Sequence, residues 1–238
     1  VRLTALQLPA RFGARAAQLQ YATLLLEGGP QTDLVLFPEA SLTGYVSARG
    51  EYDLSRFSEP LDGPTVEALA ELAARFDCLV IGPLVERDGA ACFNTLVGVG
   101  PEGERVVRYR KRHPWYPETW ALPGAEPTPV FDWRGARFAL ANCFDVHFLA
   151  AESAPALEEA EVLLFASAWV DDEGDARPGH LAALAREFDV AVLNANWGPG
   201  VPLVPGQGGS LFMSADGVVH QRLRDPGGRL DVSFDAPG

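Results

Sequence analysis

Short apolar runs alternate along the chain with longer stretches of helical period. Leu3 to Leu8 alternates loosely and predicts a first strand. Ala14 to Glu27 sets Ala17, Tyr21, Leu24 and Leu25 at helical spacing, and Gly28-Gly29-Pro30 stops it. Asp33 to Phe37 is a compact apolar run, hence a buried strand, and it ends in Pro38-Glu39-Ala40-Ser41. Glu51 to Pro60 is polar and loop-like. Asp62-Gly63-Pro64-Thr65 opens a second helix to about Phe76, with Val66, Leu69, Leu72, Ala73 and Phe76 on one face. Cys78 to Leu84 predicts the next strand. Ala91 to Val99 and Arg105 to Arg110 bracket Gly100-Pro101-Glu102-Gly103, a hairpin with its turn. Asn94 sits in mid-strand, where its amide can satisfy a neighbouring loop.

The second half repeats this order. Phe138 to Asn142 predicts a strand that ends at Cys143, and an alanine-rich run from Leu149 to Ala160 predicts a helix. Glu161 to Trp169 reads as a strand, Asp171 to Asp175 as a solvated acidic loop, Pro178 to Asp189 as a helix and Val190 to Asn196 as a strand. In that helix Leu181, Leu184, Ala185 and Phe188 face inward. Gly198 to Gly209 is rich in glycine and proline but lacks the lysine and following helix of a phosphate loop. Ser210 to Met213, Val218 to Leu223 and Leu230 to Phe234 close the chain as short strands. Two similar halves predict an α/β fold of two sheets packed face to face, with helices over both outer faces. At 238 residues and 47% hydrophobic, the chain suits one domain over residues 1–238.

Composition narrows the class. The net charge of −13 and the pI near 4.7 leave one short basic cluster, Arg108 to Arg112, so a nucleic-acid partner is not expected. No apolar run reaches the ~20 residues of a membrane span, and the N-terminus opens directly into a strand, so neither a membrane segment nor a signal peptide is expected. Cys78, Cys92 and Cys143 form an odd set without framework spacing, which fits a reduced, cytoplasmic setting. Four scattered histidines give no zinc spacing, so no metal is expected. Of 19 basic residues Lys111 is the one lysine. Either it survived a bias towards arginine by chance, or its position needs a compact point charge that a wide guanidinium cannot replace.

Three residues each follow a predicted strand, and each carries two readings. Cys143 is either a small core hydrophobe or a thiol exposed at a sheet edge. Glu39 is either a surface loop acid or a carboxylate at the ligand-binding end of the sheet. Lys111 precedes an aromatic, proline-rich loop, Arg112 to Trp120, of the kind that lines binding sites. Glu118 within it is either solvated or a fourth member of the set, and His113, before a proline, reads as structural. Together these groups suit acyl transfer. Glu39 can take the thiol proton, and Lys111 can stabilise the thiolate and the developing oxyanion. The Phe144 N–H can be a second oxyanion donor. Cys143, Asp145 and His147 would share one face if the strand continued, giving a metal site as the competing arrangement. A papain-like pairing of Cys143 with His113 or His180 lacks a supporting asparagine or signature.

Phe37-Pro38-Glu39-Ala40, Tyr109-Arg110-Lys111-Arg112-His113 and Asn142-Cys143-Phe144-Asp145 resemble the three signature stretches of the nitrilase superfamily of carbon–nitrogen hydrolases. Glu118 with Leu122-Pro123-Gly124, Ala166 to Trp169, Asn194 to Gly198 and Gly209-Ser210 are similar to further family segments, so the resemblance covers most of the chain. It implies a four-layer α-β-β-α sandwich of two mixed sheets that pairs into homodimers or larger assemblies. It implies hydrolysis of a non-peptide C–N bond in a small amide, or of a nitrile, through a thioester on Cys143, with no cofactor. Glu39 is implied as general base and acid, Lys111 as oxyanion holder and Glu118 as the group that positions Lys111 or the amide. Phe144, Trp169 and His147 are implied at the oxyanion and substrate-binding positions. The chain departs from the pattern after Asp145, where Val146-His147-Phe148-Leu149-Ala150 lacks the family's proline and glutamate, and His147 stands where many members carry arginine. A silent binding protein on the same scaffold is the alternative from outside enzymology.

Overall fold

A computed structural model of the chain describes residues 1–171 and 175–235. The expected acidic loop from Asp171 to Asp175 lies outside the described residues at its centre.

The strands are β1 (Arg2–Gln7), β2 (Pro9–Arg11), β3 (Leu34–Leu36), β4 (Leu79–Asp88), β5 (Ala91–Val99), β6 (Arg105–Arg110), β7 (Val130–Trp133), β8 (Ala136–Asn142), β9 (Val162–Ser167), β10 (Ala191–Asn196), β11 (Gly198–Val201), β12 (Leu211–Met213), β13 (Val219–Arg222) and β14 (Gly228–Ser233). The helices are α1 (Arg15–Glu27), α2 (Pro64–Phe76), α3 (Leu149–Glu152), α4 (Ala154–Glu159) and α5 (Arg177–Phe188). One sheet runs β14-β1-β3-β4-β5-β6 and the other β13-β12-β10-β9-β8-β7. In each, three neighbouring strands are parallel (β1, β3, β4 and β8, β9, β10) and the flanking pairs are antiparallel.

Strand periodicity explains the layers. Leu34 and Leu36 of β3 and Leu3 and Ala5 of β1 point one way, into a core shared with Phe138, Leu140, Val162, Leu164 and Leu193 of the other sheet. Val35, Phe37 and Val80 point the other way, onto Ala22 and Leu26 of α1 and Leu69, Leu72 and Ala73 of α2. Ala139, Ala141, Leu163 and Phe165 do the same for Leu157 of α4 and Leu181, Leu184 and Ala185 of α5. The protein is therefore the expected α-β-β-α sandwich of two mixed sheets.

Several elements differ from the sequence expectation. The inward face of α1 is Gln18, Ala22 and Leu26, and Leu24 is 57% exposed. A polar residue took a core position because its amide donor, Gln18 Nε2, is satisfied by Pro9 O at 2.8 Å and Ser41 O at 3.0 Å. The alanine-rich run is two short helices, α3 and α4, parted at Ser153. Pro155 has no N–H to continue a helix, and Ser153 Oγ pairs with Thr128 Oγ1 at 2.8 Å instead. Strands β2 and β11, parallel to each other, and β7 were not foreseen; the proline of β2 and the Gly-Pro-Gly of β11 read as turn signals. The basic cluster is spent on ion pairs. Arg108 meets Glu86 and Glu126, Arg110 meets Glu86 and Asp88, and Arg112 meets Glu152. Among the described residues no helix is long and apolar enough to cross a membrane.

Candidate active site

The carboxyl ends of the central parallel strands deliver the candidate residues to one place. Glu39 comes three residues after β3, Cys143 directly after β8 and Ala168 directly after β9, while Lys111 follows β6. The turns that carry them are tight. Ala40 (φ 48°) and Cys143 (φ 48°) both adopt the left-handed conformation, which costs a residue with a Cβ about 1 to 3 kcal/mol. Strain of that kind on the two turns holding a carboxylate and a thiol points to function rather than to packing. Gly124 tightens the loop behind Lys111: its N–H donates to Lys111 O at 2.8 Å, and a Cβ there would collide with Arg110 O.

Glu39 (0% exposed), Lys111 (0%) and Glu118 (2%) are buried together. Lys111 Nζ donates to Glu39 Oε1 at 2.7 Å and to Glu118 Oε1 at 2.6 Å. Asn94 Nδ2 donates to Glu39 Oε1 at 2.8 Å and to Glu118 Oε2 at 3.1 Å. Tyr45 OH donates to Glu118 Oε1 at 2.6 Å, and the Ala168 N–H to Glu39 Oε2 at 2.9 Å. Every one of these partners is a donor, so all four carboxylate oxygens accept at least one hydrogen bond. Tyr45 and Asn94 complete the site; the sequence reading missed the first and expected the second only to satisfy a neighbouring loop. An asparagine inside an otherwise apolar strand was the available signal, because a buried amide needs partners.

Charge at the site follows from burial and neighbours. Burial pulls the Lys111 ammonium towards neutrality, but Glu39 and Glu118 outweigh it, so its pKa is raised and it stays charged. Burial pushes the Glu118 carboxyl up while Lys111 pulls it back. The Cys143 thiol is pushed well above its usual range, first by burial and then by the Glu39 charge, with Lys111 opposing. Cys143 is thus a neutral thiol at rest. The Glu39 carboxylate acts on this thiol directly, and its Oε2 accepts from the Ala168 N–H at 2.9 Å.

Cys143 opens onto a cavity of about 90 Å³ lined by Tyr45, Trp115, Phe144, His147, Ala168, Trp169 and Val170. None of these walls carries a carboxylate, ammonium or guanidinium. The His147 imidazole is lowered by burial and by His180, its edge-on neighbour at 4.8 Å, which favours the neutral ring. Trp169 is held in the wall by its N–H to Asn196 Oδ1 at 3.0 Å and by its carbonyl, which accepts from Trp197 Nε1 at 2.9 Å. Tyr116, by contrast, is 81% exposed and does not line the cavity.

The strand does not continue past Asn142. Cys143–His147 is a 3-10 turn, which ends the alternation that a Cys143, Asp145 and His147 metal site required. Asp145 instead accepts from Tyr109 OH and from the His113 N–H, both at 2.8 Å, so His113 has the structural role expected of it. Among the described residues no three His, Cys, Asp or Glu side chains are grouped to hold a metal ion. Burial raises the Asp145 pKa from 3.8 to about 6, against the pull of Lys111, Tyr109 and His113. A folded value above the unfolded one means that the contribution to stability is complete below pH 3.8 and lost as pH rises through about 6. Relative to wild type, Asp145→Asn is expected to gain stability between pH 4 and pH 7, by up to about 3 kcal/mol. Urea unfolding at a series of pH values checks this, and a difference that is flat or falls with pH contradicts it.

Known proteins share this architecture. The carbon-nitrogen hydrolase family profile matches residues 2–222. An (R)-stereoselective amidase from Pseudomonas sp. is 33% identical over 190 residues, 79% of this chain and 68% of that one. A formamidase from Bacillus cereus (strain Q1) is 31% identical over 141 residues, 58% of this chain and 42% of that one, so the match spans less than half of the formamidase. The crystal structure of an amidase from Nesterenkonia sp. superposes with a TM-score of 0.82 at 26% identity, covering 98% of this chain and 90% of that one. A mutant of that amidase, 25% identical here with a TM-score of 0.80 over 99% and 94% of the two chains, carries acrylamide added to its active-site cysteine. The chain belongs to the carbon-nitrogen hydrolase family, within the nitrilase superfamily, as an amidase-type hydrolase.

Proposed function

We propose that this protein hydrolyses the C–N bond of a small uncharged amide through a thioester on Cys143. The observation that carries the reading is the buried Glu39–Lys111–Glu118 cluster against a thiol on a strained turn. Glu39 takes the Cys143 proton as sulfur attacks the carbonyl carbon. The oxyanion that forms is held by Lys111 Nζ and the Phe144 N–H. Glu39 returns the proton to the leaving nitrogen, the C–N bond breaks, and ammonia or an amine departs. Water then attacks the thioester with Glu39 again as base, releasing the acid and the thiol. Glu118 has a distinct part. When Glu39 is protonated, Glu118 is the remaining negative partner of Lys111, so the ammonium keeps a counter-charge throughout the cycle.

The cavity supports the substrate class. Its 90 Å³ compares with about 150 Å³ for a pocket that takes a benzene ring, and Trp169, Phe144 and His147 offer the acyl group a neutral wall. The amidase and formamidase relatives agree with a small amide. The test is ammonia release from formamide, acetamide, propionamide, a carboxylate-bearing amide and propionitrile. Release is expected from the uncharged amides, with kcat/KM for the carboxylate-bearing one lower by about tenfold or more. Release from the nitrile alone, or from none of the five, contradicts the reading.

A further inference from the structure

The side-chain amide and the backbone carbonyl of Asn94, a buried residue of β5, are spent on the catalytic set and its supporting strand. Its backbone carbonyl accepts the Lys111 N–H at 2.8 Å. Its Nδ2 donates to Glu39 at 2.8 Å and to Glu118 at 3.1 Å. Its Oδ1 accepts from Asn142 Nδ2 at 3.1 Å, and Asn142 is the residue before Cys143. One side chain and its carbonyl thus join four segments that arrive from far apart in sequence: the turn after β3, the end of β6, the aromatic loop and the end of β8. The partners also fix the orientation of the amide, because the flipped form would set Oδ1 against two carboxylates.

The charge count explains why an amide is used. Two carboxylates around one ammonium leave a net negative charge in a buried cluster. A neutral group with two N–H donors spreads that charge over both carboxylates. A second cation would compete with Lys111 for them, and a hydroxyl would have one proton for two partners. The Asn142 donor feeding Asn94 Oδ1 polarises the same amide and strengthens its outgoing bonds.

We propose that Asn94 is the positioning residue of this site: it holds Glu39 and Glu118 at fixed separation around Lys111, and ties that pair to the strand ending in Cys143. The proposal rests on the catalytic roles given above. Its alternative is a residue that only fills space and knits β5 to its neighbours.

The test measures kcat and KM against pH, with thermal unfolding, for the full chain and for Asn94→Leu, Asn94→Asp and Cys143→Ala. Leucine keeps the shape and removes both donors. It is expected to lower kcat by about 100-fold with KM changed little. It should also move the acid limb of the kcat/KM profile up by about one pH unit, because the charged form of the pair loses a donor. Aspartate keeps the shape but adds a third carboxylate. Asn94→Asp is expected to be weaker still at neutral pH and to recover on acidification, once the new carboxyl is protonated and can donate. It supplies the pH signature even if Asn94→Leu does not fold. A loss that tracks only the unfolded fraction, or an acid limb in its wild-type place in both variants, overturns the proposal. Activity surviving in Cys143→Ala would instead overturn the catalytic reading beneath it, so the two failures are distinguishable.

Discussion

Cys143→Ala is expected to lower amide hydrolysis by about 10⁴-fold or more, since nothing else in the cavity can take the acyl group. The alternatives are poorly placed. Tyr45 donates its proton to Glu118, and burial together with the Glu118 charge pushes its pKa well up. His147 lies at the wall, away from the Glu39–Lys111 pair, among Phe144, Trp169 and His180. Stability should hardly move, within about 1 kcal/mol, because alanine removes one small atom and keeps the backbone of the strained turn. Cys78 is the internal control. It packs in the core beneath α1 and α2, and burial pushes its thiol up to about 12, so Cys78→Ala leaves the chemistry intact. The neutral resting state of Cys143 adds a kinetic expectation: alkylation at pH 7 is slow unless Glu39 draws off the proton during attack.

Lys111→Met is expected to damage both activity and fold. The kcat falls by about 10³-fold, the typical cost of an oxyanion donor in a site closed to water. Stability falls by about 3 to 5 kcal/mol, because Glu39 and Glu118 are left buried without their cation. The pH dependence identifies the cause. Two unpaired carboxylates sharing a site raise each other's pKa, so the variant regains stability as pH falls and the pair takes up a proton. Adding Glu118→Gln removes one of the two charges. The double variant is expected to recover much of the stability and none of the activity. Recovery of both would mean that Lys111 serves the fold alone.

The layers were legible because each rests on a repeated local rule. The apolar runs of β3 and β8 mark strands buried on both faces, and the periods of α2 and α5 repeat over three turns. What failed was short or local. The inward turn of α1 depends on Gln18, whose burial makes sense only once Pro9 O and Ser41 O are known to be in reach. The break at Ser153 depends on a single proline and a hydroxyl pair. At the site, the lone lysine was informative for a physical reason: one compact ammonium meets two buried carboxylates at 2.6 and 2.7 Å. Glu39, Lys111 and Cys143 were visible as residues at strand ends. Asn94 and Tyr45 were not, because their importance lies in contacts made across 24 to 73 residues of sequence.

The most direct measurement is the mass of the Cys143 peptide after acid quench of the wild-type protein turning over a small amide. A thioester mechanism predicts an added mass equal to the acyl group, carried by Cys143 and removed by hydroxylamine. Steady turnover with that peptide unmodified, and undiminished in Cys143→Ala, would contradict it.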